Sequence, residues 1–259
     1  MLIDLTYRCS MGCNHCMSEC KPDGTDMTPE ILEDVLAFCK KNEVPNLIFS
    51  GGEMFENLYI LELLKIIEKE WDKRFPLSFI TNGRKLADTP DILEAVQDMQ
   101  KKYGKKKIMI QVTDDPRFYP QPLSEKQKYR LRKLDAVIEG VPGNGNKCLY
   151  PQGRALENFD DSWWNTIAPK CVNVRLLAKQ GVDSIRSMVR ILFCAGKVCT
   201  PSISPTGEIK LGESALCPSV ASIYDKDIIK RILDCRCQSC EYAWEQLENT
   251  RTYEMLTKN

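Results

Sequence analysis

The chain has 259 residues, 43% of them hydrophobic and 28% charged, with 36 Lys and Arg against 36 Asp and Glu. That is enough apolar material for one large domain with a small appendage, and the even charge balance recommends neither nucleic acid nor a membrane as a partner. No apolar run is long enough to span a bilayer, and the opening from Met1 to Thr6 carries an acid at Asp4 and lacks a secretory signal's apolar stretch. The expected compartment is the cytosol, where clustered thiols bind metals more often than they form disulfides.

In chain order, Leu2 to Tyr7 reads as a short strand running into a cysteine cluster. A helix follows, with Thr28 as its N-cap, Pro29 in its first turn, and Ile31, Leu32, Val35, Leu36 and Cys39 on one face. Asn46 to Ser50 is a strand ending in Gly51-Gly52, and Leu58 to Trp71 repeats the helical period. The unit recurs: strand Leu77 to Ile80 closed by Thr81-Asn82-Gly83, helix Pro90 to Lys102, strand Lys107 to Thr113. A helix near Ser124 to Leu134 and a strand from Ala136 to Val141 come next, and Val172 to Ala178 and Val182 to Phe193 read as a further strand and helix. This alternation predicts an α/β fold with a parallel sheet of about six strand-helix units, too few to close an eight-stranded barrel.

From Val198 the character changes. Ile203 to Ile209 reads as two strands around a turn, and Asp227 to Leu233 and Glu241 to Leu256 read as helices. The expected division is a large domain over 1–193 and a small one over 194–259.

The 13 cysteines gather at the two ends. Cys39, Cys148 and Cys171 stand apart and read as small buried hydrophobes. Near the start, Cys9, Cys13 and Cys16 place three thiols in one short loop after a strand, with Gly12 allowing a tight fold around what they hold. Iron-sulfur clusters take thiolates, and three ligands on a four-iron cube leave one metal position open, as a catalytic site needs. Zinc, with Cys20 or His15 as a fourth ligand, is the alternative reading.

The spacing CxxxCxxC after the first strand resembles the radical S-adenosylmethionine (SAM) superfamily. The resemblance implies a partial (β/α)6 TIM-like barrel, with SAM bound to the open iron and His15, the residue before the third cysteine, packed on its adenine. Ser50-Gly51-Gly52-Glu53 is similar to the family's GGE motif, whose glycine backbone and acid receive the SAM amino group. Asn82, Gln111, Thr113 and Asp115 fall near strand ends where the family contacts SAM, and Ile138-Glu139-Gly140 is a weaker match.

Cys199 and Cys217 bracket the C-terminal turn, and Cys237 and Cys240 arrive from the tail, a closed set of four thiols with Cys194 and Cys235 as alternates. This resembles the twitch domain, a shortened SPASM domain carrying one auxiliary 4Fe-4S cluster; a structural zinc ribbon has nearly the same spacing. Gly153-Arg154-Ala155 is similar to a tripeptide found ahead of that extension.

The resemblance implies an enzyme that reductively cleaves SAM to a 5'-deoxyadenosyl radical and abstracts hydrogen from a substrate, fed by an external one-electron reductant such as a flavodoxin or ferredoxin. Oxidation or crosslinking of a peptide side chain is the first expectation, with Arg154, Trp163 and Trp164 as candidates to face the peptide. Dehydrogenation of a small alcohol or amino sugar is the second, kept open because the first strand begins at residue 2 and leaves no N-terminal peptide-recognition domain in view. A non-catalytic iron-sulfur or zinc protein is the alternative of another class.

Overall fold

Short apolar strands alternate with amphipathic helices, and the computed structural model gathers the strands into one eight-stranded sheet of order β5-β4-β3-β2-β1-β6-β7-β8. The structure describes residues 1–141, 148–164, 173–195, 200–236 and 244–245, with the backbone alone at 193–195. The first five strands are β1 (Leu2–Asp4), β2 (Leu47–Ser50), β3 (Leu77–Thr81), β4 (Ile108–Thr113) and β5 (Val137–Glu139), each parallel to its neighbour. Leu2 pairs with Ile48, Leu47 with Leu77, and Leu77 with Ile108, so the strand ends stay level.

The crossovers are helical: α1 (Pro29–Lys41), α2 (Ile60–Glu70), α3 (Arg84–Asp88), α4 (Pro90–Tyr103) and α5 (Glu125–Arg132). Local chemistry sets their starts. The Thr28 hydroxyl accepts from the Ile31 amide with Pro29 in the first turn, and Ser124 and Gln127 close a reciprocal capping box ahead of α5. Their apolar faces cover one side of the sheet. Leu32, Val35 and Leu36 of α1 and Leu63, Leu64 and Ile67 of α2 join Ile3, Phe49, Phe79 and Ile110 in a single core.

Because strand side chains alternate, the opposite face is left for other uses. Leu2 and Asp4 of β1, Ile48 and Ser50 of β2, Ile80 of β3 and Thr113 of β4 point there, into a cavity.

Beyond β5 lie α6 (Arg154–Asn158), α7 (Asn173–Lys179) and α8 (Ile185–Ala195). The strand expected over Val172 to Ala178 is a helix from Asn173 on, and the sixth parallel strand is supplied from further on. Val174, Leu176 and Leu177 bury themselves at helical spacing, and the Asn173 amide donates to the Leu211 carbonyl. An apolar run this short carries no periodicity that separates strand from helix.

The sheet then continues through β6 (Ser202–Ile203), parallel to β1, and antiparallel β7 (Glu208–Lys210) and β8 (Ser219–Ser222), followed by α9 (Ile228–Asp234). The expected hairpin thus forms, and it is joined to the large sheet through β1. Ile203, Ile209, Ile228 and Ile232 belong to the same apolar core as the first five strands. The helix expected over Glu241 to Leu256 lies almost wholly outside the described residues. Among the described residues no helix is long and apolar enough to cross a membrane.

Candidate active site

After β1 the backbone leaves the sheet. Gly52 donates to the Thr6 carbonyl at 2.7 Å and Glu53 to that of Arg8 at 2.8 Å, so the loop after β2 lies directly on the segment entering the cysteine loop. A Cβ at Gly51 would stand 2.2 Å from the Thr6 carbonyl oxygen, at a φ of +138° that side chains rarely adopt. Glycine is the residue that permits this approach.

The cysteine loop is pinned from three directions. Ser10 donates twice to Glu56, from its amide at 2.8 Å and its hydroxyl at 2.6 Å. Arg154 donates from Nε to the Cys13 carbonyl at 2.9 Å, from its guanidinium to that of Cys20 at 3.1 Å, and from its backbone to that of Cys16 at 3.0 Å. From the loop after β7, Ser214 donates its hydroxyl to the Met17 carbonyl at 2.7 Å, and the Ala215 amide donates to Ser18 Oγ at 3.0 Å.

Cys9, Cys13 and Cys16 border one cavity of about 450 Å³ at the C-terminal ends of the parallel strands. His15, Gly51, Gly52, Asn82 and Thr113 border it too. These expected residues therefore meet at one place. Burial pushes the Cys9 and Cys13 thiols up to about 12, whereas Cys16 is held down, chiefly by a hydrogen bond from Cys20, whose own thiol is pushed up by that bond and by burial.

His15 stacks against Phe118 with ring centroids 4.8 Å apart and against Tyr119 at 5.5 Å, and among the described residues its buried Nδ1 has no hydrogen-bond partner. Burial pushes it down to about 4, so the ring is neutral at physiological pH. Phe118 in turn meets Phe159 and Trp163 edge-on, so Trp163 backs the histidine platform and, like Trp164, does not border the cavity.

Three expected residues do not border it. Glu53 is fully buried: its carboxylate accepts from Thr81 Oγ1 at 2.6 Å, the Asn82 amide at 2.7 Å and the Phe55 amide at 3.2 Å, and burial pushes it up to about 7. Asp115 forms a two-point pair with Arg117 and accepts from the Val141 amide at 3.0 Å; the Arg117 guanidinium holds it down at about 2. Gln111 sits half-buried within β4. Both carboxylates position the ends of β3 and β5.

Of the second cysteine set, Cys217 is half-buried, at the end of the loop whose Ser214 grips the first set. Cys199, Cys237 and Cys240 lie outside the described residues, as does Cys171, and the Cys194 side chain is not described. Cys235 caps the C-terminal end of α9.

Sequence reasoning missed Asp4, Tyr119, Cys148 and Glu213, all of which border the cavity. Cys148, expected to be a plain hydrophobe, is buried and also faces this space. An acid within an apolar strand was the available signal for Asp4.

The donor set suits a sulfur-ligated cluster: three thiols from one loop, spread around a cavity wide enough for a cofactor and a nucleoside-sized ligand. Among the described residues, no group of three or more His, Cys, Asp or Glu side chains is placed to share one metal ion.

Residues 3–139 match the family model described as the Radical SAM superfamily. Over 83 residues the chain is 34% identical to a Bacillus subtilis (strain 168) protein named "Putative peptide biosynthesis protein YydG"; the match covers 31% of this chain and 25% of that relative, so the chain spans about a quarter of its length. The fold is similar to native anSMEcpe with bound AdoMet, at a TM-score of 0.53 and 13% identity over 99% of this chain and 88% of that one. It is also similar to Streptococcus suis SuiB bound to precursor peptide SuiA, at 0.52 and 12% over 92% and 67%. With the family model matched over more than half its length, the chain belongs to the radical SAM superfamily.

Proposed function

We propose that Cys9, Cys13 and Cys16 hold a 4Fe-4S cluster, that SAM lies beside it in the cavity, and that the chain removes hydrogen from a peptide substrate. One observation carries the reading: three thiols from one loop share a cavity with Gly51, Gly52, Asn82 and Thr113 at the C-terminal edge of a parallel sheet. Family membership implies the cluster and SAM. When bound, they supply one electron to the sulfonium and a 5'-deoxyadenosyl radical that takes a hydrogen atom.

The rest is the work of this chain's residues. The thiols of Cys9 and Cys13 are protonated when free, so cluster binding releases protons and weakens as pH falls. Arg154 fixes the loop carbonyls, which sets where the sulfurs stand. His15, neutral and backed by Phe118 and Tyr119, presents a flat, uncharged aromatic ring for adenine. Glu53 is a positioning residue, because both its oxygens serve Thr81, Asn82 and Phe55.

A peptide is favoured as substrate because the Bacillus subtilis relative is named for peptide biosynthesis. Cys217, with Cys199, Cys237 and Cys240 from a small domain over 194–259, would hold an auxiliary cluster able to accept the electron left on the substrate. An external flavodoxin or ferredoxin would supply the first.

The test is anaerobic reconstitution followed by dithionite and SAM. Release of 5'-deoxyadenosine by the wild type and its loss in Cys13→Ala are expected. Equal release by the two proteins, or none by the wild type, would remove the cluster from this loop.

A further inference from the structure

The cavity has a second border, where β1 meets β6 and the loop after β7 reaches the end of the cysteine loop. Asp4, the acid on the cavity face of β1, is 3% exposed and borders this space. Among the described residues nothing donates a hydrogen bond to its carboxylate, a costly state for a buried acid. Glu213, on the loop after β7, borders the same space and accepts from the Thr200 amide at 3.1 Å.

The charged and titratable groups that face Asp4 come from four places. Lys210 is buried on β7, lies 5.4 Å above the Tyr7 ring and donates to the Ala215 carbonyl. Glu213 adds a second negative charge, Tyr7 follows β1 with its buried hydroxyl unpartnered among the described residues, and Cys20 closes the cysteine loop. Burial holds Asp4 up at about 7, which Lys210 opposes and Glu213 reinforces.

A carboxylate is acceptor-only, and the group that complements it in a dry cavity is a cation with several N–H donors. A structural role would be served equally well by Asn at lower cost, since an amide of the same shape carries no charge to desolvate. From the unpartnered Asp4 carboxylate, with Glu213 beside it, we infer that this border of the cavity is a subsite for a primary ammonium group carried by the substrate. The inference rests on the radical SAM reading only in naming a substrate as the occupant. The ammonium of SAM is the other source of the same chemistry. Asp4 pairs with Ser50, next to the residues expected to meet SAM, while Glu213, on the loop after β7, extends the site beyond them.

The experiment uses the full chain with its cluster reconstituted, and n-butylammonium as the probe against n-butanol of the same length. Thermal unfolding and calorimetry at pH 8 are expected to show stabilisation by butylammonium and none by butanol. Its affinity should fall about tenfold or more in Asp4→Asn, with a smaller loss in Glu213→Gln. Equal binding by wild type and Asp4→Asn, or no binding by the wild type, overturns the proposal. Saturating SAM separates the sources. If SAM leaves the probe's binding intact, the occupant is the substrate; if SAM expels it and Asp4→Asn also weakens SAM, the ammonium is SAM's own and the assignment falls.

A second measurement covers the variant's folding. Without probe, Asp4→Asn should melt higher than wild type at pH 8, the gap closing toward pH 4, because the folded state keeps the Asp4 proton to about pH 7 while the unfolded chain loses it near 4. A lower melting temperature at pH 8 would mean that a counter-ion already serves Asp4, and the subsite is lost. None of these readouts needs turnover, so their failure leaves the radical chemistry standing, and failed SAM cleavage leaves the subsite standing.

Discussion

At the scale of single residues, carboxylates in similar sequence settings take different work. Glu53 and Asp115 were both legible as family-like positions, yet each turns from the cavity to hold backbone amides, which shows only when neighbouring strands are in place. Asp115 lies below its unfolded value because of Arg117, so its stabilisation is full above about pH 4 and lost as pH falls through about 2. Asp115→Asn should therefore be less stable than wild type at pH 7 and match it below pH 2, as urea unfolding at the two pH values would show. Arg154 supplies two side-chain hydrogen bonds to the carbonyls of the cysteine loop. Arg154→Ala should fold but take up less iron, measured per chain after reconstitution, with Arg154→Lys intermediate because it retains one charged donor.

At the scale of elements, the first half of the chain was written clearly. Thr28-Pro29 marked α1, and the strands of β2 to β4 fell within a residue or two of their expected bounds. β1 is shorter than expected because, past Asp4, its backbone serves the loop after β2 instead of a regular ladder. Val172 to Ala178 failed as a strand because seven mostly apolar residues satisfy either period, and the decision came from the contacts of Leu176 and Leu177. The Gly51 turn is the element most sensitive to change. Gly51→Ala sets a methyl against the Thr6 carbonyl at an unfavourable φ, so a loss of ~2–4 kcal/mol is expected by denaturant titration, with SAM affinity falling alongside.

At the scale of the whole molecule, β6 joins β1, and the sheet runs unbroken from the family domain into the C-terminal hairpin. Ser214 crosses that junction to bind the Met17 carbonyl, so the loop that ends at Cys217 is tied to the first cysteine loop although nearly 200 residues separate them. If both sets hold four-iron clusters, reconstituted protein should contain about eight irons per chain. Cys217→Ala should contain about four, still release 5'-deoxyadenosine and form no product. The sequence by itself determined the strand-helix order, the parallel sheet and the cysteine loop, because hydrophobic period, caps and ligand spacing are local properties. Only the tertiary structure decided which acids face the cavity and which hold the scaffold, and that Asp4 lies buried with no donor among the described residues. Those facts depend on which strand lies beside which, and β1 meets its neighbour β6 only after some 200 residues of intervening chain.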